Sequence, residues 1–279
     1  MPSYRFHLVN VFAETPFGGN PLAVFEPADG LDSTTMQAIA AQMNLSETTF
    51  VFPATEGGDA RVRIFTPGYE LPFAGHPVLG TAAVLARLRG LSASVRLEMA
   101  AGMFPIVLGE GGYAQLTAKP AQVRPFTGEQ DALADMLGLG AGALRDARFV
   151  NTGTEQLLIE LTSRDAVLAC RPSAAGIDAL CRNVTGAAMA YVWHVDGTVA
   201  TVRLFFTHNG QVIEDPGTGS ACANLGGWLA SDGRRGLHWR LEQGHALNRP
   251  NVLDLEVDAA GVIRVGGRVM PVGSGQIDL

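Results

Sequence analysis

Two glycine-rich turns, about half a chain apart, carry the ionisable residues best placed for chemistry. They occupy residues 74–82 (AGHPVLGTA) and 213–221 (IEDPGTGSA), and each precedes an apolar stretch predicted to be a helix. A helix start presents unpaired backbone N–H groups and a partial positive charge. The two turns therefore predict a site for a small carboxylate, or for negative charge that develops on a substrate in a transition state.

The turns match at a constant offset of 139 residues. This offset places His76 opposite Asp215 and Thr81 opposite Ser220, with an ionisable residue before a proline in each turn. Glycines let a substrate approach the backbone closely, which adds Gly75, Gly217 and Gly219 to the candidates. Two matched copies favour a role in binding over the alternative that glycine and proline only form the turns between strand and helix.

Glu47 is the second candidate for chemistry. It lies where a predicted amphipathic helix over 33–43 gives way to a predicted strand over 48–52. Aligning the two halves puts Gly186 or Ala187 opposite Glu47, so only the first half carries the carboxylate. In apolar surroundings, such a carboxyl group can take a proton from a substrate and return it elsewhere.

The three cysteines, Cys170, Cys181 and Cys222, bear on the mechanism by their positions. A racemase without a cofactor needs a base on each face of the reacting carbon, often one thiol from each lobe. Here the turns hold His76 and Asp215 and no thiol, and Cys222 falls inside the second apolar helix. The pattern disfavours a two-thiol racemase. An odd number of cysteines without C-x-x-C spacing indicates reduced thiols and predicts a cytoplasmic protein.

The turns belong to a longer internal repeat. Residues 62–65 (VRIF) are echoed by 202–205 (VRLF), and residues 96–98 (RLE) by 240–242 (RLE). Each half reads strand, helix, strand, strand, glycine-rich turn, apolar helix and further strands. The helices predicted over 81–88 and 220–230 hold one charge and none, so they must be buried on nearly every side.

These features predict an α+β fold of two pseudo-symmetric lobes, each a curved, mostly antiparallel sheet wrapped around a central helix. The N-terminal lobe is expected over residues 1–118 and the C-terminal lobe over 119–279. The junction is expected within 119–142, and the last strand could return to the N-terminal lobe.

Composition excludes several classes of function. The chain has 279 residues, 34 of them glycine, and a net charge of −7, which gives no basic surface for nucleic acid. No apolar stretch reaches the roughly 18 residues of a membrane span, and residues 1–20 show no signal-peptide pattern. Zinc-site, Walker A, dinucleotide and nucleophile-elbow patterns are not found in the sequence.

Taken together, these residues resemble the PhzF family, the phenazine-biosynthesis-like isomerases and epimerases related in fold to diaminopimelate epimerase. The resemblance covers nearly the whole chain. Its motifs are residues 17–24 (FGGNPLAV), 44–50 (NLSETTF), 74–82, 214–221 and 242–244 (EQG).

The resemblance implies a pseudo-twofold fold with the active site between the lobes, no metal, no organic cofactor and a homodimer. It implies that Glu47 is the acid/base and that His76, Asp215 and Ser220 position the substrate and relay protons. The substrate-binding residues that it implies are Gly75, Gly217, Thr218, Gly219 and Asn20.

The leading hypothesis is an isomerase that shifts a proton between carbons of a small carboxylate-bearing substrate. One base in one lobe fits a shift on a single face better than inversion. The alternatives are an epimerase that acts at one carbon and a small-molecule binding or interaction protein that kept the fold without catalysis. The sequence does not name the substrate.

Overall fold

Runs of two or more strands separate most of the helices along residues 2–279, the part of the chain that the computed structural model describes. The α-helices are α1 (Ser33–Met43), α2 (Gly75–Arg89), α3 (Gln130–Leu137), α4 (Arg164–Ala169), α5 (Ala174–Leu180) and α6 (Gly219–Ser231), with short 3₁₀ turns at Glu110–Gly112 and His245–Leu247. The strands of the first half are β1 (Ser3–Val11), β2 (Asn20–Phe25), β3 (Glu47–Phe52), β4 (Ala60–Phe65), β5 (Glu70–Leu71), β6 (Ser94–Met99), β7 (Gly102–Leu108) and β8 (Tyr113–Thr117). The strands of the second half are β9 (Gln122–Pro125), β10 (Leu144–Asn151), β11 (Glu155–Leu161), β12 (Met189–Asp196), β13 (Val199–His208), β14 (Gln211–Asp215), β15 (Leu237–Gln243), β16 (Asn251–Val257) and β17 (Ile263–Asp278).

The chain divides into two structural units. One contains Met1–Thr117 together with Gly266–Leu279, and the other contains Ala118–Val265. The end of β17 belongs to the first unit because it runs antiparallel along the whole of β1. Among residues 2–279, no helix is long and apolar enough to cross a bilayer.

The two units repeat one order of strand pairing. In the first, β1 is antiparallel to β2, β2 parallel to β3, β3 antiparallel to β4, and β4 parallel to β6. In the second, the same relations link β10 to β11, β11 to β12, β12 to β13, and β13 to β15. Helices form each parallel crossover, as parallel strands require.

A buried helix lies at the core of each unit. Helix α2 packs against β1, β2, β3, β6, β7 and β8, and α6 packs against β9, β10, β11 and β16. Nine residues of each helix are buried, including polar Thr81 and Asn224. The opposite face of the first sheet is covered by α1, whose Met36 and Ile39 join a cluster of stacked phenylalanines. The predicted α+β fold, with each sheet wrapped around a helix, is confirmed.

The predicted helix boundaries are partly shifted. Asp32 caps α1 through its side chain, which accepts from the Thr35 N–H at 2.7 Å, and Gly90 ends α2 with a left-handed φ of 67°. However, α2 begins at Gly75, so the first glycine-rich turn is already helical where a turn was predicted. Proline at the third helical position is tolerated because its missing N–H would have no intrahelical partner there.

The strand register also corrects the alignment of the two turns. Phe65 pairs with Glu70 and Phe205 with Glu214, so the second hairpin is four residues longer than the first. Phe65 and Phe205 are equivalent and lie 140 positions apart. Equivalent residues that follow this hairpin therefore lie four positions further apart than that.

The offset of 139 residues is consequently wrong for the turns. Gly75 and Gly219 are the first residues of their helices and lie 144 positions apart. The counterpart of His76 is therefore Ser220, and not Asp215. The alignment fails because proline and glycine recur at similar spacing within each turn, which makes an ungapped match possible at the wrong register.

Candidate active site

Glu47 and His76 form a direct side-chain pair in the first unit. The distance from Glu47 Oε2 to His76 Nδ1 is 2.9 Å, and the two side chains are 18% and 6% exposed. Either an Nδ1–H donates to the carboxylate, or a protonated carboxyl donates to the nitrogen. The contact can therefore persist in both protonation states of Glu47, which a group that takes and returns a proton requires.

Local backbone geometry places both members of the pair. Asn44 ends α1 in a left-handed conformation with φ of 51°, and the chain enters β3 three residues later. Glu47 is the first residue of β3, beside Leu22 of the parallel strand β2. His76 is the second residue of α2, which no side chain caps.

The first turn of α2 is held from within the unit. The Thr81 hydroxyl donates to the Pro77 carbonyl at 2.7 Å and shares a 2.9 Å hydrogen bond with the Thr49 hydroxyl.

His76 Nε2 is buried and has no hydrogen-bond partner among residues 2–279. A buried polar atom without a partner is costly, so this nitrogen is suited to meet a polar group of a ligand.

Only the first unit carries this carboxylate. Thr48 pairs with Phe65 in the first unit, and Ala190 pairs with Phe205 in the second. The structural counterpart of Glu47 is therefore Met189, and not Gly186 or Ala187. The asymmetry inferred from the sequence holds, although the alignment behind it was displaced.

Asp215 lies at the end of β14, next to the start of α6. The Thr218 hydroxyl donates to Asp215 Oδ2. Gln243 fixes this arrangement: its Nε2 donates to the Asp215 carbonyl at 2.8 Å and to the Thr218 hydroxyl at 3.0 Å, and its Oε1 accepts from the Thr218 N–H at 3.1 Å. The Thr218 hydroxyl, at the N-cap position, therefore bonds to Asp215 and Gln243, and no side chain caps α6.

Ser220 is the second residue of α6. Its Oγ accepts a 3.0 Å hydrogen bond from Nε2 of Gln156, which is buried on β11. The helix start that holds Gly219 and Ser220 therefore resembles that of α2, where Gly75 and His76 occupy the same two positions and no side chain caps the helix. By contrast, Asp32, Ser163 and Ser173 cap α1, α4 and α5 with their side chains.

Of the remaining predicted residues, Gly75 and Gly217 lie at or next to a helix start, and Asn20 lies on β2. Gly217 must be glycine because a Cβ would lie 2.3 Å from Asn251 Oδ1, whereas a Cβ on Gly75 would make only an ordinary contact with Leu116. Asn20 is buried at the start of β2, opposite Val11. It follows Gly19, whose φ of 76° is the left-handed region that favours glycine.

Three polar residues with a structural role at these helix starts were not predicted. They are Gln156, Asn224 and Gln243, all nearly inaccessible to solvent. Gln243 lies in the EQG motif at 242–244, so a glutamine amid strand residues was the available signal. Gln156 and Asn224 give no such signal, because their contact joins residues 68 positions apart.

The cysteines lie in the core of the second unit. Burial raises the pKa of Cys170 and Cys181 to about 12 and that of Cys222 far above its usual range. All three thiols are free and buried. This environment suits Cys222 to packing and not to nucleophilic attack, because reactivity requires the thiolate.

We expect Ellman's reagent to leave all three thiols of the native protein unmodified and to titrate three after unfolding in guanidinium. The physical reason is that a buried thiol with a raised pKa holds almost no thiolate at neutral pH. Absorbance of the released thiolate measures the reaction. Rapid native modification that also abolishes turnover would contradict this assignment and reopen a thiol mechanism.

No group of three or more histidine, cysteine, aspartate or glutamate side chains within residues 2–279 is arranged to hold a metal ion. The polar groups at the two helix starts are the Glu47–His76 pair, the Asp215 carboxylate, hydroxyls and amides. Carboxylates and imidazoles can move protons, and hydroxyls and amides can bind a ligand by hydrogen bonds.

Comparison with known proteins places this geometry in a class. An isomerase of Pasteurella multocida that is otherwise uncharacterized is 45% identical over 275 residues, covering 98% of this chain and 94% of its own. The trans-2,3-dihydro-3-hydroxyanthranilate isomerase of Pseudomonas fluorescens is 32% identical, covering 99% of this chain and 100% of its own. A crystal structure of a phenazine biosynthesis protein of the PhzF family from Bacillus anthracis superposes with a TM-score of 0.87 at 27% identity, covering both chains completely.

The duplicated fold and these full-length relatives define an isomerase, as predicted. The sequence model of the phenazine biosynthesis-like family, PhzC-PhzF, matches residues 9–275, and the chain belongs to this family.

Proposed function

We propose that this protein moves a proton between two carbons of a small carboxylate-bearing substrate, with Glu47 as the acid/base. The observation that carries the proposal is the 2.9 Å contact between Glu47 and His76 at the uncapped start of α2. The substrate in the name of the Pseudomonas fluorescens relative, a hydroxylated dihydroanthranilate, supports an unsaturated ring that bears a carboxylate as the substrate class.

In this mechanism Glu47 takes the proton of an activated C–H bond, and the electron pair enters the adjacent unsaturated system. The double bond shifts, and the developing charge spreads toward an electron-withdrawing group. Protonated Glu47 then delivers the proton to a second carbon on the same face. One C–H bond breaks and one forms, so the reaction needs no oxidant, reductant or organic cofactor.

His76 supports both states of Glu47. Its Nδ1 accepts from the carboxyl group when Glu47 is protonated and donates to it when Glu47 is ionised, provided that the imidazole exchanges a proton with its surroundings. Its unpartnered Nε2 is the atom available for that exchange or for a substrate oxygen. We therefore assign His76 the role of orienting Glu47 and relaying protons.

The start of α6 supplies the proposed groups that hold the substrate. These are the Ser220 hydroxyl, the backbone at Gly217 and Gly219, and Asp215 as fixed by Thr218. Gly75 and Asn20 are proposed to contribute from the first unit. That both units serve one substrate, that the protein is a homodimer and that it is cytoplasmic stay predictions.

The test is isomerisation in D₂O followed by proton NMR, with trans-2,3-dihydro-3-hydroxyanthranilate as the first substrate and simpler cyclic amino and hydroxy acids after it. We expect a shifted double bond and deuterium at the carbon that receives the proton, in an amount limited by how fast Glu47 exchanges with solvent. The Glu47→Gln variant is expected to give neither product nor label.

The same spectra distinguish the alternatives. Exchange with inversion at one carbon and no shift of the double bond would identify an epimerase. Line broadening that reports binding, with no exchange and no product from any substrate, would identify a binding protein and overturn the proposal.

A further inference from the structure

We propose that Gln156 and Asn224 are positioning residues that force the Ser220 hydroxyl to act as a hydrogen-bond donor toward the substrate carboxylate. This inference rests on the proposed function, because it assigns the chemistry of one group in the same site. It is carried by a chain of buried amides whose donor and acceptor ends are fixed by the backbone.

The orientation of the chain is set at Asn224, which is fully buried. Its Oδ1 lies 2.8 Å from the Thr152 backbone nitrogen, a group that can only donate. Its Nδ2 lies 2.8 Å from the Thr154 carbonyl oxygen, a group that can only accept. The assignment of the two amide atoms therefore follows from groups with one possible role each.

The orientation then passes to Gln156. Asn224 Nδ2 donates to Gln156 Oε1 at 2.8 Å, so Gln156 presents its Nε2 to Ser220 Oγ at 3.0 Å. Rotating the Asn224 amide would oppose like groups at the Thr152 nitrogen, the Thr154 carbonyl and Gln156, and rotating the Gln156 amide would oppose two donors at Asn224. Since Gln156 is only 1% exposed, water does not relieve such a mismatch.

The consequence falls on Ser220. The Ser220 oxygen already accepts a hydrogen bond from Gln156. No residue within 2–279 accepts a hydrogen bond from the Ser220 hydroxyl. A hydroxyl carries one donor hydrogen, and here that hydrogen remains for a ligand. A hydrogen bond from a hydroxyl to a carboxylate is charge-assisted and stronger than a neutral one, and the adjacent helix start favours the same charge.

The fold itself does not require this amide chain. In the first unit, the register places Leu22 where the second unit has Gln156, because Ala23 pairs with Thr48 as Leu157 pairs with Ala190. Gly80 occupies the position of Asn224, both being the sixth residue of their helix, and a Cβ there would lie 2.5 Å from Leu22. The first unit thus forms the same fold with apolar packing between Leu22 and Gly80, and it has no serine at the equivalent helix start.

The experiment compares two probes, anthranilate and its neutral carboxamide, by titration calorimetry. The wild-type protein is expected to prefer anthranilate. The near-isosteric variant Gln156→Met is expected to lower the anthranilate affinity about tenfold, the range for a lost hydrogen bond to a charged group, and to change the carboxamide affinity less than twofold. Ser220→Ala is expected to show the same selective loss.

The double variant Gln156→Met/Ser220→Ala separates positioning from general structural support. If Gln156 acts through Ser220, the double variant binds anthranilate no more weakly than Ser220→Ala alone. A full additional tenfold loss, or equal losses for both probes, would overturn the inference, as would a wild-type protein without preference for anthranilate. If Gln156→Met does not fold, Gln156→Glu keeps the acceptor toward Asn224 and offers Ser220 an acceptor, so the preference should fall further.

These measurements do not depend on turnover. A preference for anthranilate that requires Gln156 through Ser220, in a protein that isomerises nothing, would refute the proposed function and leave the positioning role intact. Turnover that stays unchanged in the Gln156 and Ser220 variants would refute the positioning role and leave the proposed function intact.

Discussion

Replacing Glu47 with glutamine is expected to lower kcat about 10³- to 10⁴-fold, the upper range for loss of a general acid/base. Glutamine has nearly the same shape and can still hydrogen-bond His76 Nδ1, but it cannot accept and return a proton. Since Glu47 is a partly exposed residue at the start of β3, the fold should survive. Steady-state kinetics gives the rate, and the thermal midpoint by circular dichroism reports the fold.

Glu110→Gln provides the matched control for Glu47→Gln. This substitution makes the same change of charge in the same unit, at an exposed 3₁₀ turn, and no hydrogen bond to the Glu110 carboxylate is found within residues 2–279. Its kcat should stay within twofold of the wild-type value. Near-normal turnover by Glu47→Gln, with a correct fold, would remove Glu47 from the mechanism and leave His76 and Asp215 as the remaining groups that could accept a proton.

Arg203→Met is expected to give the largest loss of stability, about 3 to 5 kcal/mol in the free energy of unfolding. Arg203 and Glu214 form a bidentate pair at 3.0 and 2.7 Å, and their side chains are only 4% and 10% exposed. Arg203 Nη1 also donates to three carbonyls at the end of α4. Removing the guanidinium leaves the buried Glu214 carboxylate unpaired, next to Asp215 in the chain. Thermal unfolding should show a midpoint roughly 10 °C lower.

The internal repeat supplies the control for Arg203→Met. Arg63 and Glu70 form the same bidentate pair in the first unit, at 2.7 and 2.5 Å, with 24% and 38% exposure. Because solvent screens an exposed pair, Arg63→Met should cost no more than about 1 kcal/mol. The double variant Arg203→Met/Glu214→Gln should recover part of the loss by removing the unpaired charge. Equal effects at Arg63 and Arg203 would show that burial does not decide the strength of this pair.

The elements that the sequence predicted well are those encoded by local pattern. The amphipathic pattern over 33–43 predicted α1 with the bounds that the structure shows. The nearly charge-free stretches of α2 and α6 indicated buried central helices before any sheet was known. The resemblance of its motifs to the PhzF family predicted the family and the class of enzyme, and both are confirmed.

The errors in the sequence analysis arose where two distant segments had to be compared. Gly75 and Gly219 begin equivalent helices, yet the ungapped alignment matched His76 with Asp215. The cause is a second hairpin four residues longer than the first, which only the pairs Phe65–Glu70 and Phe205–Glu214 make visible. Met189 was missed as the counterpart of Glu47 for a separate reason. Thr48 and its partner Phe65 lie 17 positions apart, whereas Ala190 and Phe205 lie 15 apart, so the β3–β4 hairpin is two residues longer than the β12–β13 hairpin.

The sequence by itself determined the repeat, the two buried helices and the single carboxylate at Glu47, because hydrophobic period, glycine and proline act over a few residues. Only the tertiary structure decided which residues are equivalent in the two units and which side chains meet. Hydrogen bonds such as those that join Gln156 to Ser220 and Gln243 to Thr218 span 64 and 25 positions. Which group donates in these hydrogen bonds depends on backbone groups that strand pairing brings together. Local sequence patterns do not predict such long-range contacts.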